Sequence, residues 1–233
     1  MLSKNLGGEQ VGFAFHLLLK VESNYRGHGQ PQLHCDPVNL GWVGDDIYTG
    51  TNTFYQWGRK DPFRGSESVG DPVTTGTIAD NIKNPTTFYN VNDNPSNTTY
   101  YNMWDAQQTG ADNITAATVK TVYDPCPAGF CVPTGNLYYY MKNGNDVGFE
   151  WKAEDMGRNL TSVTPNVFFP ASGYRGYSAG SLGGVGSYGS YWSASAYGSS
   201  TYYARSLYFF SGYWYWDNYN RSYGFPVRAV AEE

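Results

Sequence analysis

From Ser187 to the end, the chain carries little charge and shows no helical period. Short apolar or aromatic runs, Ala204 to Phe210 and Gly224 to Val230, alternate with segments of Tyr, Ser, Gly, Asn and Trp. Short runs bounded by turn formers predict strands. Tyr191 to Ala194, Ala204 to Phe210 and Gly224 to Val230 are therefore expected to close a sheet, with Trp192, Leu207, Phe209, Phe225 and Val227 holding it from inside. The segments between, Tyr197 to Tyr202 and Ser211 to Tyr223, are rich in turn formers and are expected to be loops.

Upstream, Ile47 to Phe63 predicts a strand and then a turn, with Arg59-Lys60-Asp61-Pro62 as a charged stop. This cluster is expected to be a structural ion pair at a domain rim rather than a catalytic group. Ile78 to Asn84 predicts a short helix with Thr77 as N-cap and Pro85 ending it. Lys120 to Tyr123 is a strand candidate, and Asp124 to Gly129 a tight turn. A second helix opens at Pro133-Thr134 and runs through Leu137, Tyr140 and Met141. Asn166 to Gly173 predicts a strand that leads into the glycine-dense stretch Gly176 to Gly189, expected to be a mobile loop. Tyr89 to Tyr101 is polar and predicts a surface loop, with Tyr101 to Trp104 returning to the core. Val11 to Val21 fits a strand or a short helix. No repeat of 20–50 residues is present.

Composition sharpens the picture at the C-terminal end. Of the 22 tyrosines, 12 lie between Tyr174 and Tyr223. Strands favour tyrosine, which is one cause. The other is recognition: Tyr and Trp give rigid contact area at low entropy cost, and Ser, Gly and Asn give adaptable hydrogen bonds. On that basis the candidate ligand-binding residues are Tyr188, Tyr197, Tyr202, Tyr213, Trp214, Tyr215, Trp216, Asp217, Asn218, Tyr219, Asn220, Ser222 and Tyr223.

The segments YWSASAY, YYARSLYF and DNYNRSYGFPVRAV, with FYQWGRKDPF, NPTTFY and VYDPCPAGFCVP upstream, resemble a family. It is the group of Bacteroidetes surface domains with a C-type-lectin fold, related to the Fibrobacter succinogenes major paralogous domain and similar to the variable proteins of diversity-generating retroelements. The resemblance spans roughly Trp42 to Val230. It implies an α+β, C-type-lectin-like fold: a small, mostly antiparallel sheet, a few short helices and long irregular loops. It implies a helix packed behind the sheet, which suits Leu137, Tyr140 and Met141. Residues 1–41 are then an N-terminal extension or cap, and 42–233 the ligand-binding domain. The implied function is non-enzymatic recognition or adhesion at a cell surface or phage tail, toward a protein or glycan, with the exposed sites diversified over a constant scaffold. Arg221 and Arg228 match the family's arginines, and Arg228 is expected to be structural. The alternative is a structural tip or cap subunit of a pilus or tail fibre. The related domains usually carry a cysteine where this chain has Ala229, so Cys126 has no partner there.

The remaining chemistry narrows the classes. Net charge is −5 with a pI near 5.2 and no basic cluster, which argues against nucleic acid. Three cysteines leave at least one thiol free; Cys126 and Cys131 are close enough in sequence for a local bridge, and Cys35 is expected to be dispensable for the fold. The histidines, His16, His28 and His34, lack zinc spacing, and all three lie before residue 35, with no nucleophile marked for them to activate. No G-x-S-x-G elbow is present. Carboxylates such as Asp105, Asp124, Glu150, Glu154, Asp155 and Asp217 give no marked pair. Formylglycine-generating enzymes share the broad fold but need a cysteine pair in the C-terminal core, and none follows Cys131 here. Trp216-Asp217-Asn218 only scrambles the calcium triplet of animal lectins. No cofactor or metal is expected, with a structural calcium left open in the loops. The longest apolar run, Val11 to Leu19, is too short to span a membrane, and Glu9 before it and the lack of a small-residue cleavage site speak against a signal peptide. The sequons at Asn97, Asn113, Asn159 and Asn220 imply exposure only.

Overall fold

A computed structural model describes residues 52–65, 67–74, 76–90, 101–110, 115, 117–143, 148–162, 166–197 and 202–232. The boundary between 41 and 42, the Val11 to Val21 run, Cys35, the three histidines, Asn97, Asn113 and the loop centred on 91–100 lie outside them.

The described chain is mostly antiparallel β-structure with two short helices. Helix α1 (Ile78–Lys83) starts where the capping residues place it. Thr77 accepts from the Asp80 amide, and the Asp80 carboxylate accepts from the Thr77 amide at 2.9 Å. Helix α2 (Gly135–Asn143) follows Pro133-Thr134, where the Asn136 amide donates to the Thr134 hydroxyl at 2.9 Å. Its buried side chains are Leu137, Tyr138 and Met141; Tyr140 is half-exposed, so Tyr138 takes the place expected of Tyr140.

Strand β1 (Thr53–Gln56) is the strand expected before a turn, and β2 (Phe63–Arg64) returns after the turn to pair with it as a hairpin. β1 also pairs with β12 (Gly224–Phe225), setting Tyr55 opposite Phe225. β12 pairs in turn with β7 (Tyr174–Arg175), and β7 with β8 (Leu182–Gly183), completing a five-stranded sheet in the order β2-β1-β12-β7-β8. The glycine-dense stretch is thus a hairpin with turns instead of one irregular loop. Gly173 and Gly180 sit at φ 75 and 63, the left-handed region where glycine carries no penalty. A pair, β3 (Phe130–Cys131) with β13 (Val230–Ala231), and a meander, β4 (Phe149–Lys152), β5 (Gly157–Leu160) and β6 (Val167–Pro170), form separate antiparallel sheets.

The fourth sheet carries the site. It is an antiparallel meander of β9 (Gly189–Ala196), β10 (Tyr203–Phe209) and β11 (Trp214–Asn220). Every residue of β9 is buried because both of its faces are covered. On one side, Tyr191, Leu207 and Phe209 pack with α2, Phe149 and Phe169. On the other, Trp192, Ala194, Ala196 and Ala204 pack with Tyr55, Trp57 and Phe225. Two indole bonds lock the sheets together: Trp192 Nε1 donates to the Tyr55 carbonyl at 2.8 Å, and Trp57 Nε1 to the Ser193 carbonyl at 2.9 Å.

Buried arginines hold the irregular segments. Arg59 donates to the Thr87 carbonyl at 2.7 Å, to Pro85 at 2.9 Å and to the Gln56 side chain at 2.9 Å, closing the exit of α1. Burial pulls its pKa down to about 10. The expected rim ion pair is therefore a buried cap on carbonyls, which orphan acceptors at a helix end require. Arg158 binds the carbonyls of Phe149, Phe210 and Ser211, and Arg175 those of Arg64, Glu67 and Gly180. Arg228 is 1% exposed; it lies between β12 and β13, outside the strand expected to hold it, against the Phe169 ring.

Cys126 and Cys131 are free and buried, so the local bridge that their spacing allowed is not formed. Burial pushes the Cys131 thiol up to about 12 and Cys126 well above its ordinary value.

Because β1 and β12 are joined across most of the chain, the described sheets should melt together. Calorimetry is expected to show one transition whose calorimetric and van't Hoff enthalpies agree. Two resolved transitions within these residues would contradict the shared core.

Candidate functional site

Strand β11 was the segment whose composition predicts a loop. Its register with β10 is unbroken from Tyr203↔Asn220 to Phe209↔Trp214. Side chains alternate across a strand, so β11 presents two aromatic stripes. The even stripe, Trp214, Trp216, Asn218 and Asn220, shares the face of Phe209, Leu207, Arg205 and Tyr203, and turns toward α2. Trp214 meets the Phe149 ring at 5.1 Å, and Trp216 meets Tyr139 at 5.3 Å. The Arg205 guanidinium lies 4.0 Å from the Trp216 ring centre and 4.4 Å from that of Tyr197. Lys142 of α2 donates to the Trp214 carbonyl at 2.8 Å and stands over the Trp214 and Tyr213 rings.

The odd stripe, Tyr215, Asp217 and Tyr219, lies opposite Tyr208, Ser206 and Ala204. Here rings join ring to ring. Tyr208 is 5.0 Å from Tyr215, 5.7 Å from Tyr219 and 5.9 Å from Tyr188. The Tyr215 and Tyr219 hydroxyls are 3.4 Å apart. Tyr219 continues to Tyr223, and Tyr223 to Tyr174 and Tyr177. Phe210 and Tyr213 extend the group at the other end. Tyr177, Tyr188 and Tyr213 are exposed, and Tyr208, Tyr215, Tyr219 and Tyr223 half-buried.

Six of the sequence candidates therefore meet on one face: Tyr188, Tyr213, Tyr215, Asp217, Tyr219 and Tyr223. Trp214, Trp216 and Asn218 belong to the stripe on the α2 side. Asn220 and Ser222 shape the turn after β11, where the Ser222 amide donates to Asn220 Oδ1 at 2.9 Å, and Ser222 is buried. Tyr197 and Tyr202 lie at the β9–β10 end, Tyr197 against Tyr203 and Arg205. The tyrosine face also includes Tyr174, Tyr177, Tyr208 and Phe210, which composition did not single out. Tyr208 had a signal: it alternates with Leu207 and Phe209, and period two puts it on the other face. Tyr174 and Tyr177 arrive through the β7–β8 hairpin, and no local pattern announces them.

Crowding of phenols shifts their ionisation. Burial raises Tyr208 from 10.0 to about 12, and raises Tyr215, Tyr219 and Tyr223 as well, with neighbouring phenols adding to the shift of Tyr208 and Tyr223. A folded pKa above the unfolded one means that, above about pH 10, the unfolded chain has lost protons the folded chain keeps. Stability is full below that pH and falls as pH rises toward the folded values. Tyrosinate absorbance should accordingly show a late-titrating group whose ionisation coincides with loss of near-UV circular dichroism. Simple titration of every tyrosine near 10 with the fold intact would disprove the crowding.

Among the described residues no group of three or more His, Cys, Asp or Glu is placed to hold a metal, and no helix is long and apolar enough to cross a membrane. Asp105 and Asp124 are wholly buried and serve structure. Asp105 accepts from the Thr115 hydroxyl and the Val119 amide, and Asp124 from the Cys126 and Val132 amides.

No curated protein and no solved structure matches the chain. Residues 138–230, from within α2 to the start of β13 and so including the whole tyrosine face, match the sequence pattern of a family described as a domain of unknown function (DUF8237).

Proposed function

We propose that the chain is a C-type-lectin-like recognition domain of a cell surface or phage tail, non-enzymatic, gripping a protein or glycan with the tyrosine face. One observation carries the proposal: an unbroken group of phenol rings, several exposed, lies on the β10–β11 part of a sheet whose opposite face is fixed by α2. Exposed clusters of this kind mark interaction sites, and tyrosines supply rigid contact area together with a polar tip. The arrangement also suits a diversified surface. The rings stand on a scaffold buried from its other side, so exposed positions can change while Leu207 and Phe209 stay.

The test is a glycan and protein array probed with the purified chain. Each hit is then remeasured with a triple variant, Tyr177→Ser, Tyr188→Ser and Tyr213→Ser. Loss of the hits with the melting temperature held is the expected result; hits that survive place recognition elsewhere.

A further inference from the structure

Cations and rings meet throughout this fold. Arg59 lies over Phe63, Arg158 over Phe149, Arg175 over Phe54, Arg221 over Trp57 and Arg228 over Phe169. The tyrosine face is the exception. Among the described residues no Lys or Arg stands over Tyr208, Tyr215, Tyr219 or Tyr223. The nearest approach is at its border, where Lys142 reaches round the end of β11 to Tyr213 at 4.5 Å.

The same face holds a carboxylate. Asp217 stands between Tyr215 and Tyr219 on the odd stripe, and its partners are neutral: the Tyr215 hydroxyl, and Asn218 Nδ2 at 3.4 Å. Among the described residues it forms no ion pair. Directly across on β10, Ser206 Oγ is buried and has no hydrogen-bond partner among the described residues. Ring faces are electronegative, and a cation held over them is attracted. A carboxylate among neutral groups adds to that attraction, and the net charge of −5 extends it to longer range.

We infer that the face receives a lysine or arginine side chain of a protein partner, its cation resting on the rings of Tyr208, Tyr215 and Tyr219 and paired with Asp217. This rests on the proposal that the tyrosine face is the recognition site, and it names the chemistry taken there. A neutral sugar would use the rings but leave Asp217 without a counter-charge.

The experiment titrates the whole chain with deca-lysine, deca-arginine, a neutral Gly-Ser decapeptide and maltoheptaose, by calorimetry at low and at physiological salt. It is repeated on D217N, Y208L and, as a control on the exposed β4–β5 turn, E154Q, each first checked by thermal melt. Both cationic peptides should saturate one site, weaken by about tenfold in D217N and in Y208L, and bind E154Q as they bind wild type. D217N is near-isosteric and decides the matter if Y208L fails to fold. Absence of saturation, or equal weakening in E154Q and D217N, overturns the cation site. Maltoheptaose binding that is lost in Y208L and kept in D217N overturns it as well, while leaving the face as the recognition site. Binding of any probe that ignores both face variants overturns the face itself.

Discussion

Phe209→Ala should lower the unfolding free energy by about 3–5 kcal/mol, the range for truncating a fully buried aromatic. Phe209 is 0% exposed and stands at the centre of the α2-side core. Its ring meets Phe149 at 5.4 Å, edge to face, and lies nearly parallel to Tyr191 at 6.1 Å. It also fills the space above Gly189, directly across on β9, where an added Cβ would come within 2.0 Å of the ring. Gly189→Ala alone should therefore cost about 1–3 kcal/mol through overpacking. In the Phe209→Ala background that clash is gone, so the double variant should be more stable than the sum of the two losses predicts. Urea melts of the four proteins measure this. Strict additivity, or a Phe209→Ala cost below about 1 kcal/mol, would place Phe209 away from the tightly packed centre.

The parts legible in the sequence were those with local causes. Helix α1 followed from Thr77 and Pro85, which lie within a few residues of one another. Strands β9 and β10 followed from compact apolar runs, and Trp192, Leu207, Phe209, Phe225 and Val227 are all at 0–1% exposure. Strand β11 was hidden because its two faces are both aromatic. A half-buried strand usually alternates apolar with polar, but here Trp214 and Trp216 pack toward α2 while Tyr215 and Tyr219 line the opposite face. Asn and Asp, which are depleted in strands, completed the appearance of a loop.

The arginine caps were equally silent, since their partners are distant in sequence. Arg175 reaches carbonyls 108 and 111 positions away, and Arg158 one 52 positions away. Charge near Asp61 suggested pairing for Arg59, whereas the exit of α1 supplied bare carbonyls that bind it better. Of the tyrosine face, the β11 half was visible as composition. The rest depended on which strand of a distant hairpin comes to lie beside Tyr223.

The two stripes of β11 should separate in opposite directions when each is removed. Tyr213→Ser acts on a ring 50% exposed and should change stability by no more than about 0.5 kcal/mol. Tyr215→Ser and Tyr219→Ser act on half-buried rings; Tyr219 touches Tyr208, Tyr223 and Phe225, so its loss should cost about 1–2 kcal/mol. Where one of the three is a hot spot, ligand affinity should fall by about 2 kcal/mol or more, roughly thirtyfold. Trp216→Ala removes the ring that stacks on Arg205 and meets Tyr139 on the other side of the same strand. It should cost about 3 kcal/mol of stability and leave the affinity of the remaining folded protein within about twofold, since its side chain is not on the tyrosine face. The checks are denaturant melts and titrations with a ligand found on the array, run on the same preparations. If Trp216→Ala abolishes binding in folded protein while Tyr215→Ser and Tyr219→Ser bind normally, the ligand sits on the even stripe. The tyrosine face would then be packing surface for another part of the chain.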